Sequence, residues 1–340
     1  MKLFNCQQCG ALLFFENRAC ESCGARLGYR AETAALTVLN LDGGRLCANA
    51  VHDVCNWLVD AGSKEDFCAA CRHNRIIPNI ATGSNLALWR KLEVAKHRLF
   101  YSLIRLGISL PNRADDPDGG LVFDFLDERP GERRVLTGHD NGTITIAARE
   151  ADDAHREEMR AQMHESYRTL LGHFRHEVGH WIWGRMVRDG GRLADCRALF
   201  GDERENYAAA LARYYAEGPP ADWQARTISA YATSHPWEDF AETWAHYLHI
   251  MDTLETARAF GMGVHPKVGR AENLIVDVVI DPYVARTMEP VIDQWLPLTF
   301  AMNNLNRSMG MSDLYPFIIS PPVRDKLGFI HTLLHERQRR

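Results

Sequence analysis

The chain has 340 residues, 46% of them apolar and 24% charged, a globular composition long enough for a sizeable core and for two units. Its net charge of −5 at pH 7 argues against nucleic acid or an anionic membrane surface as a partner, since both select a basic excess. No apolar run approaches the roughly 20 residues of a membrane span. Met1 to Cys6 leads straight into a cysteine motif without a leader, so a cytoplasmic protein is expected.

Eight of the nine cysteines fall before position 72. In a cytoplasmic chain, C-x-x-C pairs point to metal ligation and not to disulfides. Cys6 and Cys9, then Cys20 and Cys23, form two such pairs. Each turn brings two thiolates onto one ion, and two turns complete a tetrahedral set that leaves no open position. Gly10 and Gly24 follow the second cysteine of each pair, where the chain turns through positive φ. A structural zinc site is expected there. Cys47, Cys55, Cys68 and Cys71 form a looser set with one clean knuckle, and a second structural zinc is expected. His52 competes for a place in it but reads better as a solvated histidine. Cys196 receives no role. Basic and acidic residues balance over residues 1–80, eight of each, so phosphate binding lacks its usual surplus. Contact with another protein is the rival role for this region.

A turn-rich stretch near 78–85 closes the cysteine-rich region. Residues 84–108 read as an amphipathic helix through Leu88, Trp89, Leu92, Leu99, Leu103 and Leu106. Strands are predicted over 121–126, 134–137 and 143–147, with Asn141-Gly142 as a turn before the last. Helices are predicted over 152–163, 166–187, 203–216, 222–232, 237–259, 284–305 and 321–337. The fold class expected is α+β: a zinc-ribbon region, 1–80, followed by a mainly helical catalytic domain, 84–340, with a small mixed sheet.

His176-Glu177-Val178-Gly179-His180 lies in the predicted helix 166–187. Positions i and i+4 share a helix face, so both imidazoles can hold one zinc. Glu177 beside them can hold the zinc-bound water and take its proton as general base. Leu170, Leu171, Phe174, Trp181, Ile182 and Trp183 flank the motif, and polar residues in so apolar a helix need a reason. Trp183 and Met186 rule out the extended pattern H-E-x-x-H-x-x-G-x-x-H, in which a later histidine supplies the third ligand. A carboxylate from a second helix is the alternative. Pro236 opens that helix, and Glu238 and Glu242 are its two candidates. One would bind zinc, and the other would orient a ligating histidine. Asp239, His246, His249, His173 and His235 read as structural polarity.

Tyr231, six residues, then Glu238-Asp239-Phe240-Ala241-Glu242, downstream of the H-E-x-G-H run, resembles the gluzincin site of the lethal-factor type. The resemblance implies that Glu238 is the third zinc ligand and Glu242 the residue behind the first shell of ligands. It implies that Tyr231 donates a hydrogen bond to the oxyanion or leaving group. Longer runs, Cys47-Ala48-Asn49-Ala50, Cys55-Asn56-Trp57-Leu58, 167–180 and 235–246, resemble the bacterial zinc-binding metallopeptidases with an N-terminal zinc ribbon. This wider resemblance implies a peptidase with one catalytic and two structural zinc ions, acting on a peptide or protein. The alternatives are a zinc hydrolase of non-peptide amides, or a zinc-ribbon adaptor whose hydrolase domain is inactive. The alternating segment 142–147 is expected to be the edge strand that holds an extended substrate.

Overall fold

The computed structural model describes the chain except residues 61, 129–134, 163–166, 268, 270, 271 and 338–340. It divides into two compact units, Met1–Phe174 and Arg175–Arg340. No helix among the described residues is long and apolar enough to cross a membrane.

The first unit begins with two hairpins, β1 (Phe4–Asn5) with β2 (Leu12–Leu13) and β3 (Leu27–Arg30) with β4 (Ala35–Val38), followed by the short α1 (Leu39–Asp42). Phe15, Tyr29, Trp57 and Tyr101 interlock edge-on or tilted at centroid distances of 4.8–6.2 Å, giving the cysteine-rich segment an apolar centre. Helix α2 (Asn85–Arg105) buries Trp89, Leu92, Leu99, Phe100 and Leu103 on one face, the stripe expected from its periodicity. β5 (Asn74–Ile76), β6 (Val122–Leu126), β7 (Gly138–Asp140) and β8 (Thr143–Ala147) form a mixed sheet in the order β5-β6-β8-β7. α3 (Asp153–Gln162) follows, and the division between the units falls inside α4 (Leu170–Ile182).

Two sheet expectations are corrected. β8 is an interior strand, parallel to β6 on one side and antiparallel to β7 on the other, so 142–147 is not an edge. The strand expected over 134–137 lies instead at Gly138–Asp140; Arg134 is outside the described residues. Both corrections have one cause. Asn141 and Gly142 adopt φ of 41° and 85°, the two-residue turn that folds a chain directly back on itself. The partner strand must therefore end at Asp140, where it pairs with Thr143 and covers β8.

The second unit is helical: the rest of α4, α5 (Leu193–Phe200), α6 (Tyr207–Glu217), α7 (Pro236–Ala259), α8 (Glu289–Ser308) and α9 (Pro321–Arg337), with one small hairpin of β9 (Gly263–Val264) and β10 (Val276–Asp277). The whole is α+β with a zinc-ribbon N-terminus. The helix expected over 222–232 is replaced by two single turns, Trp223–Ala225 and Tyr231–Thr233. Hydroxyls compete with the helical ladder there: Thr227 Oγ1 donates to the carbonyls of Trp223 and Ser229, and Ser229 Oγ accepts from the Ala232 amide. α5 was not foreseen, and the helix expected over 166–187 widens at its end into a π-type turn, Trp183–Arg188.

α7 runs through the centre of this unit, burying Phe240, Trp244, Tyr247, Leu248 and Leu254. α7 and its neighbour α9 each carry a buried histidine. His331 on α9 accepts from the Tyr247 hydroxyl at Nδ1 (3.1 Å) and donates from Nε2 to the Ala285 carbonyl (3.0 Å). Burial, and then the charge of His335, lowers its pKa to about 4. Burial does the same to His246, whose Nδ1 lies 2.8 Å from the Tyr315 hydroxyl. A histidine lowered in this way is neutral when folded, so the unfolded chain binds the extra proton. Its contribution to stability is complete above pH 6.5 and is lost as pH falls toward 4. The pH slope of unfolding free energy in that window should flatten by up to about one proton in His331→Gln. Equal slopes for wild type and variant would show that His331 is not the group responsible.

Candidate metal centre

Helix α4 carries His176 and His180 one turn apart, and helix α7 carries Glu238 and Glu242 at the same spacing. α7 starts cleanly because Pro236 occupies its first turn and the His235 ring accepts from the Trp237 amide (3.1 Å). The two helices come close because position 179 has no side chain. A Cβ on Gly179 would lie 2.9 Å from Trp244 Cδ1 and 3.0 Å from Ala241 Cα. Gly179→Ala should therefore push α4 off α7, at about 1–3 kcal/mol of overpacking. Zinc affinity is the more sensitive readout, and unchanged affinity would refute this role for the glycine.

Three ligand atoms converge. His176 Nε2 is 3.2 Å from His180 Nε2 and 2.9 Å from Glu238 Oε2, and His180 Nε2 is 3.5 Å from Glu238 Oε1. A tetrahedral zinc with bonds of about 2.0–2.1 Å sets its ligand atoms about 3.3–3.4 Å apart, so the donor set fits that ion. Glu238 is 1% exposed, and a carboxylate that deep needs a cation or donors around it. Burial disfavours charge on both His176 and Glu238. The Glu238 and Glu242 carboxylates nonetheless hold His176 well above its ordinary pKa, and His180 and His176 hold Glu238 well below its own. Two carboxylates beside two imidazoles thus favour a cation at this point.

Glu242 lies behind this set. Its Oε1 accepts from His176 Nδ1 (2.7 Å) and its Oε2 from the Ser229 hydroxyl (2.6 Å). With Nδ1 turned to Glu242, Nε2 of His176 faces the other ligand atoms, the orientation a metal-binding histidine requires. Removing such an orienting carboxylate typically weakens metal affinity 10- to 100-fold, the loss expected for Glu242→Ala in a chelator competition. Affinity within a factor of two of wild type would sink that role.

Two tyrosines stand beside the ligand set. Tyr207 on α6 donates to Glu238 Oε1 (2.7 Å). Burial, with the charges of Glu238 and Glu177 added, pushes its hydroxyl pKa far up. Tyr231, in the turn before α7, sets its ring 5.9 Å from that of His176. Burial and the Glu238 charge keep its hydroxyl protonated, hence a donor. The Trp237 ring lies 3.9 Å from that of His180.

The other polar residues of this stretch have structural partners. Lys326 holds Asp239 (2.6 Å), His246 meets Tyr315, Arg175 donates to His249, and His173 faces Glu150 (3.2 Å). Sequence reasoning missed Tyr207 and Ser229. Neither has a diagnostic spacing to the motif, and only folding brings them near.

The eight N-terminal cysteines gather as two sets of four, each with all its sulfurs within 4.8 Å of one another. Cys6–Cys23 and Cys9–Cys20 sulfurs are 3.7 and 3.6 Å apart, and Cys55–Cys68 sulfurs 3.7 Å. Zinc–sulfur bonds of about 2.3 Å imply edges of about 3.8 Å, so these donor sets also fit zinc. Gly10 and Gly24 have φ of 75° and 72°, as the knuckle turns require. His52 stands outside the second set, with its ring 5.7 Å from that of Trp89. His97, which sequence reasoning passed over, comes within reach of Cys71 together with Glu93.

The fold and these donor sets define a zinc-ribbon protein in which two histidines and one carboxylate could hold a further metal ion. Residues 85–333 match the family described as "Putative zinc-binding metallo-peptidase", and residues 3–82 match a zinc-ribbon domain. The chain belongs to that metallopeptidase family. Uncharacterized proteins of Mycobacterium bovis and Mycobacterium tuberculosis are 42% identical to it over 338 residues, covering 99% of this chain and 96% of theirs. No solved structure matches it.

Proposed function

We propose that the protein hydrolyses peptide bonds in a peptide or protein substrate in the cytoplasm. His176, His180 and Glu238 would hold one zinc, and the two cysteine clusters one structural zinc each. The convergence of the three ligand atoms at tetrahedral spacing, with Glu177 next to His176 on α4, carries this reading. When bound, zinc at this site supplies a Lewis acid that lowers the pKa of water and polarises the scissile carbonyl. Glu177 takes the proton of the attacking water on its carboxylate and returns it to the leaving nitrogen. Tyr231, kept protonated by burial, donates to the carbonyl oxygen as negative charge develops on it. Glu242 and Ser229 keep the His176 ring in one tautomer throughout. These roles are those of the lethal-factor-type gluzincin site that the spacing of Tyr231, Glu238 and Glu242 resembles.

The test has two parts. Elemental analysis should find about three zinc ions per chain, falling to about two in His176→Ala. Digestion of a peptide library, read by mass spectrometry, should show cleavage that a chelator abolishes and added zinc restores. A fully zinc-loaded protein that cuts no peptide would overturn the peptidase reading and bring the ribbon's capacity to bind other proteins forward. Two ions in both proteins would remove the metal centre itself.

A further inference from the structure

α6 is a surface helix without a polar face. Only Ala210 among its residues is buried. A surface helix ordinarily turns charged residues to water. The charged residues of α6 are Arg213 and Glu217 alone, and Arg213 is taken up by Glu205 (2.6 Å). Its outward positions are otherwise alanines and tyrosines. Ala208, Ala212 and Tyr215, at i, i+4 and i+7, form one exposed row, with Tyr215 61% exposed.

That row is continuous with the metal centre. The Tyr215 ring lies 5.6 Å from that of Tyr214, the Tyr214 ring 5.8 Å from Tyr231, and the Tyr231 ring 5.9 Å from His176. The rings thus lead from the half-buried Tyr231 outward to the exposed Tyr215. The first turn of the helix is anchored at the same place. The Tyr207 ring packs 5.2 Å from that of His235 and 5.8 Å from that of Trp237, and Trp237 packs on His180. Same-face side chains of an extended peptide follow one another at about 6.6 Å, a little more than the step between these rings. A peptide entering the metal centre in extended form can lay successive same-face side chains against successive rings. Phenol rings and alanine methyls carry no net charge. An aromatic side chain gains most from such a surface, through edge-on and offset contacts that add to simple burial.

We propose that α6 is the wall that binds the substrate, with Tyr214 and Tyr215 as specificity-determining residues. The substrate class is an extended peptide with an aromatic side chain within about four residues of the scissile bond. This rests on the peptidase reading and adds a preference to it.

Two measurements on the full-length, zinc-loaded chain test the proposal. In a peptide-library digest, cut sites should be enriched in Phe, Tyr or Trp within about four residues on one side. Tyr215→Ala should reduce that enrichment roughly 3- to 10-fold, the worth of one aromatic pair, and Tyr215→Phe should keep it. Tyr215 is exposed, so its replacement spares the core. An equal loss on all peptides, with the preference unchanged, would overturn the proposal, and so would enrichment in Lys or Arg instead. The second measurement needs no turnover. A peptide carrying benzoylphenylalanine should crosslink on irradiation to residues 207–217 of the Glu177→Gln protein, and an excess of the phenylalanine peptide, but not of its alanine counterpart, should suppress the product. Crosslinks elsewhere only, or none, would overturn the proposal. Crosslinking to α6 by a protein whose wild type cuts no peptide would sink the peptidase reading and leave α6 as a peptide-binding wall. A dimer that Tyr215→Ala disperses would give the face to a second copy of the chain and overturn the proposal.

Discussion

Glu177→Gln should leave the zinc content of the protein unchanged and lower peptide hydrolysis by about 10²- to 10⁴-fold, the usual contribution of a positioned general base. The substitution keeps the size of the side chain and removes its ability to take a proton. Glu177 is not among the three converging ligand atoms, so metal binding has no reason to change. His176→Ala separates the two roles, because it removes a ligand and should lose the ion and the activity together. Measuring metal content and peptide cleavage on both variants makes the comparison self-checking. A Glu177→Gln protein that retained its metal and cut peptides at the wild-type rate would eliminate Glu177 as the base. Loss of the ion from that variant would instead make Glu177 part of the binding site.

Asp252→Ala should cost about 3–5 kcal/mol of stability, the usual penalty for stripping one partner from a buried ion pair. Asp252 on α7 binds the Arg175 guanidinium through Oδ2 and accepts from the Tyr283 hydroxyl through Oδ1. Arg175 is 2% exposed and Asp252 7%, so water cannot replace the lost carboxylate. Arg175 also immediately precedes His176, and its uncompensated charge would pull on the helix that carries His176 and His180. The paired replacement Arg175→Met with Asp252→Leu should cost much less than Asp252→Ala alone, because it leaves no buried charge behind. Urea midpoints of the three proteins give the comparison. A loss below about 1 kcal/mol for Asp252→Ala would mean that the guanidinium reaches solvent or another partner.

Much of the centre was legible because it is written in short-range spacing. The i, i+4 repeat puts His176 with His180 on one face, and Glu238 with Glu242 on another, wherever a helix forms. A C-x-x-C turn likewise pairs its sulfurs through local geometry alone. Spacing could not say which carboxylate meets which nitrogen. That depends on the approach of α4 to α7, which Gly179 permits and the Trp244 and Ala241 positions limit. Tyr207 and Ser229 reach the site from other elements, 31 and 13 residues before the carboxylates they bind, with no periodicity to announce them.

The same division holds for the fold. The amphipathic stripe of α2, the Pro236 start of α7 and the Asn141-Gly142 turn are local preferences, and each formed where its residues stand. The position of 143–147 inside the sheet was decided by the strand that the turn folds back upon it, and the loss of helix over 222–232 by hydroxyls competing for backbone carbonyls. His97 shows the limit most plainly. In the sequence it is one histidine of a long helix, 26 residues past Cys71. Packing of α2 against the cysteine-rich segment brings its Nε2 to 3.2 Å from Cys55 Sγ, a meeting set by distance in space and not by spacing along the chain.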